Sequence, residues 1–248
     1  MKLSIITVVR NGETTLASCL DSVLCQDDVD VEYILIDGAS TDSTMRIISQ
    51  YEEKLAHVVS EPDEGFYDAI NKGMKLATGD VIGILNADDF YPSTDVLKKV
   101  IQVFKDSEND ACYGDLRYVD SENTNRIIRN WQSGSYNSQN FYHGWMPPHP
   151  TFFVRRSVYE KHGLFNLDMG TAADYEIMLR FLLKNKIKAV YIPKVLVHMR
   201  TGGMSNATIW NRLKANRMDR KAWRINGLRP YPWTLMAKPL RKIMQWWV

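Results

Sequence analysis

The segment at residues 61–89, EPDEGFYDAINKGMKLATGDVIGILNADD, constrains the fold more than any other part of the chain. It runs from an acidic turn through a short amphipathic helix into an apolar strand at 81–85, which Asn86, Asp88 and Asp89 follow directly. In an open α/β sheet, ligands bind where the strands end. Two adjacent carboxylates there repel each other unless a cation or hydrogen-bond donors lie between them. A divalent ion that also binds phosphate suits such a pair, so the segment predicts a nucleoside-diphosphate enzyme.

Strand and helix patterns alternate along the first half of the chain at the spacing of βα units. The predicted strands there are 3–9, 31–36, 58–59 and 81–85, and the predicted helices are 14–26, 40–55 and 66–77. Parallel strands need such crossovers, so the pattern predicts an α/β fold with a mostly parallel, doubly wound sheet. The second half is less regular. It is predicted to contain strands at 111–119, 126–131, 151–154 and 190–197, helices at 94–104 and 174–184, and a long loop at 133–150.

Positive charge and tryptophan are concentrated near the C-terminus. Residues 199–248 hold 11 Lys/Arg and one acid, Asp219, which makes this stretch +10 and leaves residues 1–198 at −8 of the net +2. Five of the seven tryptophans lie in the same stretch. No run reaches the roughly 18 apolar residues of a membrane-spanning helix. The three cysteines lack metal-type spacing, so they are expected to be reduced thiols of a cytosolic chain.

Asp88-Asp89 and Asp37 are the first candidates for ligand chemistry. The pair behind a buried strand predicts Mg²⁺ or Mn²⁺ bridging a nucleoside diphosphate, and the alternative is a cap for the following turn. Asp37 ends the second strand in the same layer. An acid there can accept a hydrogen bond from a ribose or a base, or it can simply belong to an Asp-Gly turn. The end of the first strand is predicted to line the same nucleotide site through Thr7, Val9 and Asn11.

The helix at 66–77 is expected to face the same edge with Asp68, Asn71 and Lys72. Lys72 can pair with a phosphate or with Asp68, which precedes it at the favourable i, i+4 spacing. An isolated lysine more often belongs to a solvated face. Two interpretations of this helix therefore remain: its polar side chains bind the nucleotide, or they have a purely structural role.

Asp174 opens a helix after Gly170-Thr171-Ala172-Ala173. A helix N-terminus favours the ionised carboxylate, so Asp174 is available as a proton acceptor, although an ordinary first-turn acid is the commoner case. His198 is a candidate third metal or phosphate contact, and His149 is a candidate acceptor-side contact. Such histidines are more often satisfied structural residues.

Seven segments carry a family resemblance. They are SIITVVRNG at 4–12, LIDGASTDST at 35–44, EPDEGFYDAINKGMKLATGD at 61–80, ILNADDFYP at 84–92, HPTFFVRRSVY at 149–159, GTAADYEIMLRF at 170–181 and HMRTGGMS at 198–205. In this order they resemble glycosyltransferase family 2, inverting enzymes of the GT-A fold. The combination of DEGFYDAINKG with RTGGMS resembles the bacterial subgroup that builds O-antigen, capsule and colanic-acid polysaccharides.

The resemblance implies a Rossmann-like GT-A catalytic domain at 1–205, with a nucleotide-binding half at 1–92 and an acceptor-side half at 93–205. A basic, Trp-rich helical extension at 206–248 follows it. The family pattern implies that Asp37 contacts uridine, that Asn86-Ala87-Asp88 stands in for the metal-binding DxD motif, and that Asp174 is the catalytic base. Arg200, in the RTGGMS segment, is placed with His149 on the acceptor side.

Two positions depart from the family pattern. The first acid of DxD is Asn86 here, which leaves the metal to Asp88 with help from Asp89. Many relatives carry an arginine where this chain has Ile70, so a phosphate contact at Asn71 is weakened and can pass to Lys72.

The implied reaction is a single in-line displacement at the anomeric carbon of a UDP-sugar. Asp174 removes the acceptor proton, and the divalent ion stabilises the departing UDP. The expected donor is a UDP-hexose or a UDP-N-acetylhexosamine, and the expected acceptor is a polyprenyl-diphosphate-linked saccharide. Because that acceptor is anionic and lies in a membrane, the protein is expected to be cytoplasmic and peripherally bound to the inner face of the cytoplasmic membrane.

The C-terminal extension is the expected membrane contact. Basic residues accompany one apolar helical face there, which is an interfacial pattern, and Pro239 limits the helix to a short or kinked one. The apolar face consists of Met236, Leu240, Ile243 and Trp247. The alternative is that the extension packs on the catalytic domain or on a second subunit of a homodimer. Nucleic-acid binding is disfavoured by the acidic body.

Two other function classes compete with a glycosyltransferase. A sugar-phosphate nucleotidylyltransferase needs a Gly-rich, Arg-containing loop after the first strand, which Arg10-Asn11-Gly12 does not supply. A catalytically inactive nucleotide-sugar-binding module would lose its carboxylates, yet Asp37, Asp88 and Asp174 are all present. The sequence also lacks the GxxxxGK[ST], GxGxxG, HExxH and GxSxG signatures, which argues against P-loop kinases, Rossmann dehydrogenases, zincins and α/β-hydrolases.

Overall fold

The computed structural model describes residues 1–202 and 209–243, which form one sheet covered by helices. The strands are β1 (Lys2–Val9), β2 (Asp30–Asp37), β3 (His57–Ser60), β4 (Val81–Ile84), β5 (Asp89–Phe90), β6 (Ala111–Val119), β7 (Ile127–Trp131), β8 (Phe153–Arg155) and β9 (Ala189–Arg200). The helices are α1 (Leu16–Leu24), α2 (Thr44–Tyr51), α3 (Phe66–Leu76), α4 (Val96–Phe104), α5 (Ser138–Tyr142), α6 (Arg156–His162), α7 (Ala173–Met178), α8 (Ile209–Ile225) and α9 (Thr234–Ile243).

The strands lie in the order β3-β2-β1-β4-β8-β6-β9-β5, and β7 pairs with β6. The first four strands of the chain are parallel to one another, as right-handed βα crossovers require. Beyond β4 the sheet is mixed, because β8 runs antiparallel to both β4 and β6 while β9 runs parallel to β6. The predicted α/β sheet is therefore parallel in its N-terminal half and mixed in its C-terminal half.

Each face of the sheet carries its own hydrophobic core. Ile5 of β1 packs on the face covered by α1, α2 and α4, and the next residue, Ile6, packs on the face covered by α3 and α7. This opposition follows from the two-residue period of a strand. Because both faces are buried, the parallel strands read as continuous apolar runs rather than as alternating ones.

The second half differs from the sequence predictions in three places. The predicted loop at 133–150 contains α5, and a 3₁₀ turn, His149–Thr151, begins within its last residues. The predicted helix at 174–184 is α only to Met178, and Leu179–Lys184 continues it as a π-helical turn. Helix α6 was not predicted. Its seven residues are too few for a clear helical period, and packing against the rest of the fold holds it.

The described part of the C-terminal extension packs against the rest of the fold. Trp223 of α8 is fully buried, its ring lies 5.0 Å from Tyr142, and its Nε1 donates a hydrogen bond to the Tyr175 hydroxyl at 2.9 Å. Asn226 donates to Glu176 of α7 at 3.0 Å. Trp247, predicted to lie on the apolar face, is outside the described residues. Across residues 1–202 and 209–243, no helix combines the length and hydropathy needed to span a bilayer.

A buried carboxylate, Glu32 of β2, fixes the start of the sheet. It accepts hydrogen bonds from the Lys2 ammonium at 2.7 Å, the Ser4 hydroxyl at 2.5 Å and the Thr78 backbone N–H at 2.7 Å. Burial alone would raise the pKa of Glu32, but these hydrogen bonds outweigh it and lower the pKa from 4.5 to about 2. The ionised form therefore stabilises the fold above about pH 4.5, and this contribution is lost as the pH falls towards 2.

We expect Glu32→Gln to lower the free energy of unfolding at pH 7 by about 1–3 kcal/mol, because an amide cannot accept from all of these donors. The deficit should shrink between pH 4.5 and pH 3, where the wild-type carboxylate begins to lose its advantage. Urea unfolding over that pH range measures both effects, and Glu53→Gln, at an exposed position, is the matched control. An equal deficit at pH 7 and pH 3 would rule out this role for the Glu32 charge.

Candidate active site

The loops that follow β1, β2, β3 and β4 meet at one edge of the sheet. Val9 lies beside Asp37 in the parallel register, and Asp37 lies beside Ser60. On the other side of β1, the backbone N–H of Leu85 donates to the Ile6 carbonyl at 3.0 Å. The carboxyl ends of the four parallel strands therefore coincide, as expected for an α/β ligand site.

Asp37 is fully buried at this edge, and hydroxyl groups hold its carboxylate. Ser60 donates to it at 2.7 Å, and Ser40 donates through both its hydroxyl and its backbone N–H. Asp63 lies next to it, since a Cβ at Gly38 would be 2.9 Å from the Asp63 Oδ2 atom. Two carboxylates thus lie at the end of β2, where a ribose or a base can donate to them.

Lys72 of α3 is held by acids of the preceding loop. Its ammonium lies 2.6 Å from Asp63, 2.8 Å from Glu61 and 3.5 Å from Asp68. The hydrogen bond that the Lys72 ammonium donates to Asp63 is the largest cause that raises the pKa of Lys72. Asp68 also accepts from the Glu64 backbone N–H at 3.1 Å. The structure therefore pairs Lys72 with local acids, including the predicted Asp68, and not with a group across the site.

The residues after β4 form a tight acidic turn. The Asp89 N–H donates to the Asn86 carbonyl at 3.0 Å, and the Asn86 side-chain amide donates to the Asp89 carboxylate at 2.8 Å. Asp89 is fully buried, while Asp88 and Asn86 are partly buried and Ala87 is 8% exposed. Burial, and after it the charge of Asp88, raises the pKa of Asp89 well above its usual range. Burial likewise raises the pKa of Asp88.

Arg200, at the end of β9, contacts this turn from the C-terminal half of the sheet. One guanidinium nitrogen donates to the Asp88 carbonyl at 2.7 Å, and another donates to the Ser18 hydroxyl at 2.9 Å. The guanidinium also lies 4.7 Å from the centre of the Phe90 ring. Its charge opposes the upward pKa shift of both Asp88 and Asp89. Arg200 therefore supports the acidic turn directly.

The acidic turn fits a divalent cation. Burial raises the pKa of both carboxyls because their charge is poorly compensated, and a bound cation would supply that compensation. Two buried oxygens, Asn86 Oδ1 and Asp89 Oδ1, have no hydrogen-bond partner within the described chain. Across residues 1–202 and 209–243, no three His, Cys, Asp or Glu side chains gather as a complete metal site. Mg²⁺ is usually bound by one or two carboxylates, and diphosphate oxygens and water complete its coordination.

Asp174 lies against the first turn of α3, which begins at the same edge of the sheet. The Tyr67 phenol lies beside the carboxylate and the backbone N–H of Asp174, and burial followed by the Asp174 charge raises the pKa of that phenol. The Tyr67 ring stacks on Phe165 at 5.2 Å, and the His149 ring meets Phe165 edge-on at 5.5 Å. Burial lowers the pKa of His149, while the nearby Asp174 charge acts in the opposite direction. The structure therefore brings Asp174, His149 and Tyr67 together.

Several predicted contacts have their polar groups committed to the fold instead. The Thr7 hydroxyl is buried on the α1 face and shares a hydrogen bond with the Tyr33 hydroxyl at 3.0 Å, so its side chain does not reach the strand ends. The Asn71 amide donates to the Phe165 carbonyl and accepts from the Phe165 N–H, at 2.9 and 3.0 Å. Asn11 accepts from the Thr41 N–H at 2.9 Å and joins the loops after β1 and β2.

His198 does not join the two aspartates. Its ring lies edge-on against Phe90 at 5.3 Å in the β5–β9 pair, and no three-residue metal cluster within the described ranges includes it. Burial, followed by the charge of Arg117, lowers its pKa. The prediction of a third metal ligand at His198 is therefore corrected to an aromatic packing contact.

Sequence reasoning missed Asp63 and Tyr67. Both lie in the segment 61–80, where an acidic turn before a glycine and an aromatic pair at the start of a helix were visible. The aromatic pair alone is typical of helix packing. Only the tertiary contact with Asp174, 107 positions later, identifies Tyr67 as a residue of the site.

Comparison with known proteins agrees with a nucleotide-sugar site at this edge of the sheet. Residues 4–163 match the sequence model of a family described as glycosyl transferase family 2. A PGL/p-HBAD biosynthesis glycosyltransferase of Mycobacterium bovis (strain BCG / Pasteur 1173P2) is 31% identical over 215 residues, which cover 83% of this chain and 80% of that protein. An uncharacterized glycosyltransferase of Mycobacterium tuberculosis (strain H37Rv) is 31% identical over 186 residues, covering 73% and 69%.

Solved transferases share the fold. S. aureus TarS in complex with UDP-GlcNAc has a TM-score of 0.72 at 19% identity and covers 90% of this chain, while this chain spans 65% of that one. The mannosyltransferase PcManGT from Pyrobaculum calidifontis, in complex with GDP-Man and Mn²⁺, has a TM-score of 0.67 at 20% identity, covering 95% and 68%. These structures confirm the predicted α/β GT-A-type fold, and the sequence matches show that the chain belongs to glycosyl transferase family 2.

Proposed function

We propose that the protein is an inverting, metal-dependent hexosyltransferase. It moves a hexose or N-acetylhexosamine from a UDP-sugar to a hydroxyl of a polyprenyl-diphosphate-linked glycan during synthesis of a bacterial surface polysaccharide. The observation that carries this proposal is the placement of Asp174. It lies against Tyr67 in the first turn of α3, and the loop before that helix packs on the strand end that carries Asp37.

The donor is held at the edge of the sheet. The carboxylates of Asp37 and Asp63 accept hydrogen bonds from the nucleoside, and the turn Asn86–Asp89 faces the diphosphate. The bound UDP-GlcNAc of the TarS structure supports a UDP-sugar. The Mn²⁺ of the PcManGT structure supports a divalent ion, which Asp88 and Asp89 would hold. Such an ion supplies neutralisation of the charge that develops on the leaving diphosphate.

The transfer itself needs one base. The acceptor oxygen attacks the anomeric carbon as the bond from that carbon to the UDP oxygen breaks, and the acceptor proton passes to the Asp174 carboxylate. The Tyr67 hydroxyl lies beside that carboxylate, and neutral His149 borders it. Because a single displacement comes from the face opposite UDP, the anomeric configuration inverts.

The proposed acceptor is supported by the description of a relative and by the positive charge of residues 199–248. The Mycobacterium bovis relative is described as a glycosyltransferase of PGL/p-HBAD biosynthesis, and the +10 stretch at 199–248 suits an anionic acceptor. Lipid-linked acceptors would place the protein peripherally on the cytoplasmic face of the inner membrane.

UDP release measured against a panel of UDP-sugars tests the function. Purified protein is incubated with Mg²⁺ or Mn²⁺ and a polyprenyl-diphosphate-saccharide analogue, with GDP-mannose as the nucleotide control. We expect acceptor-dependent UDP release with one hexose or N-acetylhexosamine donor, and NMR of the product should show an inverted anomeric centre. Absence of UDP release with every donor would favour a nucleotide-sugar-binding module instead.

Asp88→Asn tests the metal assignment. We expect at least a 100-fold loss of transfer rate, because removing the charge weakens the binding of an ion whose stabilisation amounts to several kcal/mol. Part of the rate should return as Mn²⁺ is raised. Asp95→Asn, which removes an acid paired with Lys99 on the surface, is the matched control. A variant at position 88 with the wild-type rate and metal response would refute the assignment.

A further inference from the structure

Exposed apolar side chains gather in the turn between α8 and α9 and in the first turn of α9. Among the large hydrophobic residues exposed in the described ranges are Tyr231 (40% exposed), Trp233 (51%) and Met236 (70%). The rings of Tyr231 and Trp233 lie 5.0 Å apart, and the Met236 N–H donates to the Trp233 carbonyl at 3.0 Å. These three residues form one surface, here called the aromatic patch. An exposed apolar patch bordered by charged residues commonly marks an interaction site.

Arginines border the aromatic patch. Arg220, Arg224 and Arg229 line a cleft of about 440 Å³ together with Tyr231 and Leu235, and all three arginines are exposed. Within residues 1–202 and 209–243, none of the three forms an ion pair with a carboxylate. The arginines at 220 and 224 stand at i, i+4 on α8, where like charges repel, so an anionic partner would relieve that repulsion.

Asp219 is the one acid among residues 206–248. It is buried, and the Lys238 ammonium lies 2.7 Å from its carboxylate. The surface therefore combines exposed aromatic rings with uncompensated positive charge.

We propose that the aromatic patch and its three arginines bind an anionic lipid bilayer. Aromatic side chains with a polar edge favour the boundary between head groups and acyl chains, and basic residues are attracted to anionic head groups. A shallow surface with both features suits the plane of a membrane. The −8 charge of residues 1–198 would repel a polynucleotide that extended beyond the patch.

The aromatic patch lies where the proposed function needs a membrane contact. This part of the inference rests on the proposed function, because that function supplies the lipid-linked acceptor. Helix α8 carries Arg220 and Arg224 on its exposed side and buries Trp223 against Tyr175. Tyr175 is the neighbour of Asp174 in α7. A bilayer bound at the patch would therefore lie one helix away from the proposed base, where a lipid-linked acceptor can reach it.

Vesicle sedimentation with the full chain, without donor or acceptor, tests the inference. Vesicles of phosphatidylglycerol and phosphatidylcholine are compared with vesicles of phosphatidylcholine alone, at 0.1 and 0.5 M salt. We expect binding to the anionic vesicles that weakens at high salt, because the attraction is screened. Equal binding to both vesicle types, or binding to neither, would overturn the proposal.

Variants locate the surface. The double variant Arg220→Glu with Arg224→Glu should bind anionic vesicles at least 25-fold more weakly, since each basic residue near the surface contributes about fivefold. Trp233→Ser should weaken binding as well. The matched control is Arg126→Glu with Ile127→Ser, an exposed basic and apolar pair at the start of β7, which should bind as the wild type does. Unchanged binding of the Arg220/Arg224 variant would refute the surface.

The outcome is separable from that of the proposed function. A protein that binds anionic vesicles through the patch but releases no UDP with any donor overturns the function and leaves the membrane surface supported. A protein that transfers sugar to a soluble acceptor but ignores anionic vesicles overturns the surface alone.

Discussion

Replacing Asp174 by Asn should lower the rate of sugar transfer by about 10²- to 10⁴-fold, the range typical of losing a positioned general base. The amide has nearly the same shape and can keep its place beside the Tyr67 hydroxyl, but it cannot take the acceptor proton. UDP binding should persist, because Asp37 and Asp63, the carboxylates that we propose bind the nucleoside, lie at the end of β2 and after β3. The expected result is therefore a protein that binds donor and transfers almost no sugar.

Steady-state kinetics and calorimetric UDP binding measure the two quantities on the same preparation. Asp168→Asn is the matched control, since Asp168 is an exposed acid of the loop before α7 whose backbone carbonyl, not its carboxylate, contacts Lys221. Loss of UDP affinity together with transfer would instead mean that Asp174 supports the structure of the site. A wild-type rate would exclude it as the base.

Replacing Trp223 by Ala should lower the free energy of unfolding by about 3–5 kcal/mol, the usual cost of truncating a buried tryptophan. The indole is fully buried against Tyr142 and Tyr175, and its removal leaves a cavity between α8 and the catalytic body. Trp223→Phe should cost less, because it retains most of the packing and loses the hydrogen bond to Tyr175.

Urea unfolding monitored by far-ultraviolet circular dichroism provides the measurement. Trp233→Ala is the control, since this tryptophan is 51% exposed and surface substitutions usually change stability by no more than about 0.5 kcal/mol. Equal stabilities of the Trp223→Ala variant and the wild type would show that α8 is not part of the cooperative unit. A single transition that shifts as a whole would show that it is.

Residues close in sequence were predicted well, because their signals are local. The apolar strand β4 and the acidic turn after it follow from strand length and turn chemistry within nine residues. The convergence of Asp37 with Asp88 follows from parallel pairing, which brings successive strand ends to one edge.

Contacts between distant segments were not predictable from pattern alone. Tyr67 and Asp174 are 107 positions apart, and either one read by itself is an ordinary helix residue. The burial of Trp223 is a similar case, because a tryptophan in a basic helix has the same local sequence signal whether it faces a membrane, a solvent boundary or Tyr175. The prediction that the Thr7 side chain lines the nucleotide site failed at a local level, not through a contact between distant segments. A strand end was recognised, but the face of the sheet on which the hydroxyl lies depends on the strand register.

Strand β9 has a consequence for where this protein can be divided. It lies inside the sheet, between β6 and β5, although it is contributed by residues well beyond the stretch at 4–163 that the family model recognises. A fragment trimmed to that stretch would leave β6 and β5 with open edges and would lack both Asp174 and Arg200. Open strand edges invite pairing between molecules, so we expect a fragment limited to the recognised stretch to aggregate when it is expressed alone.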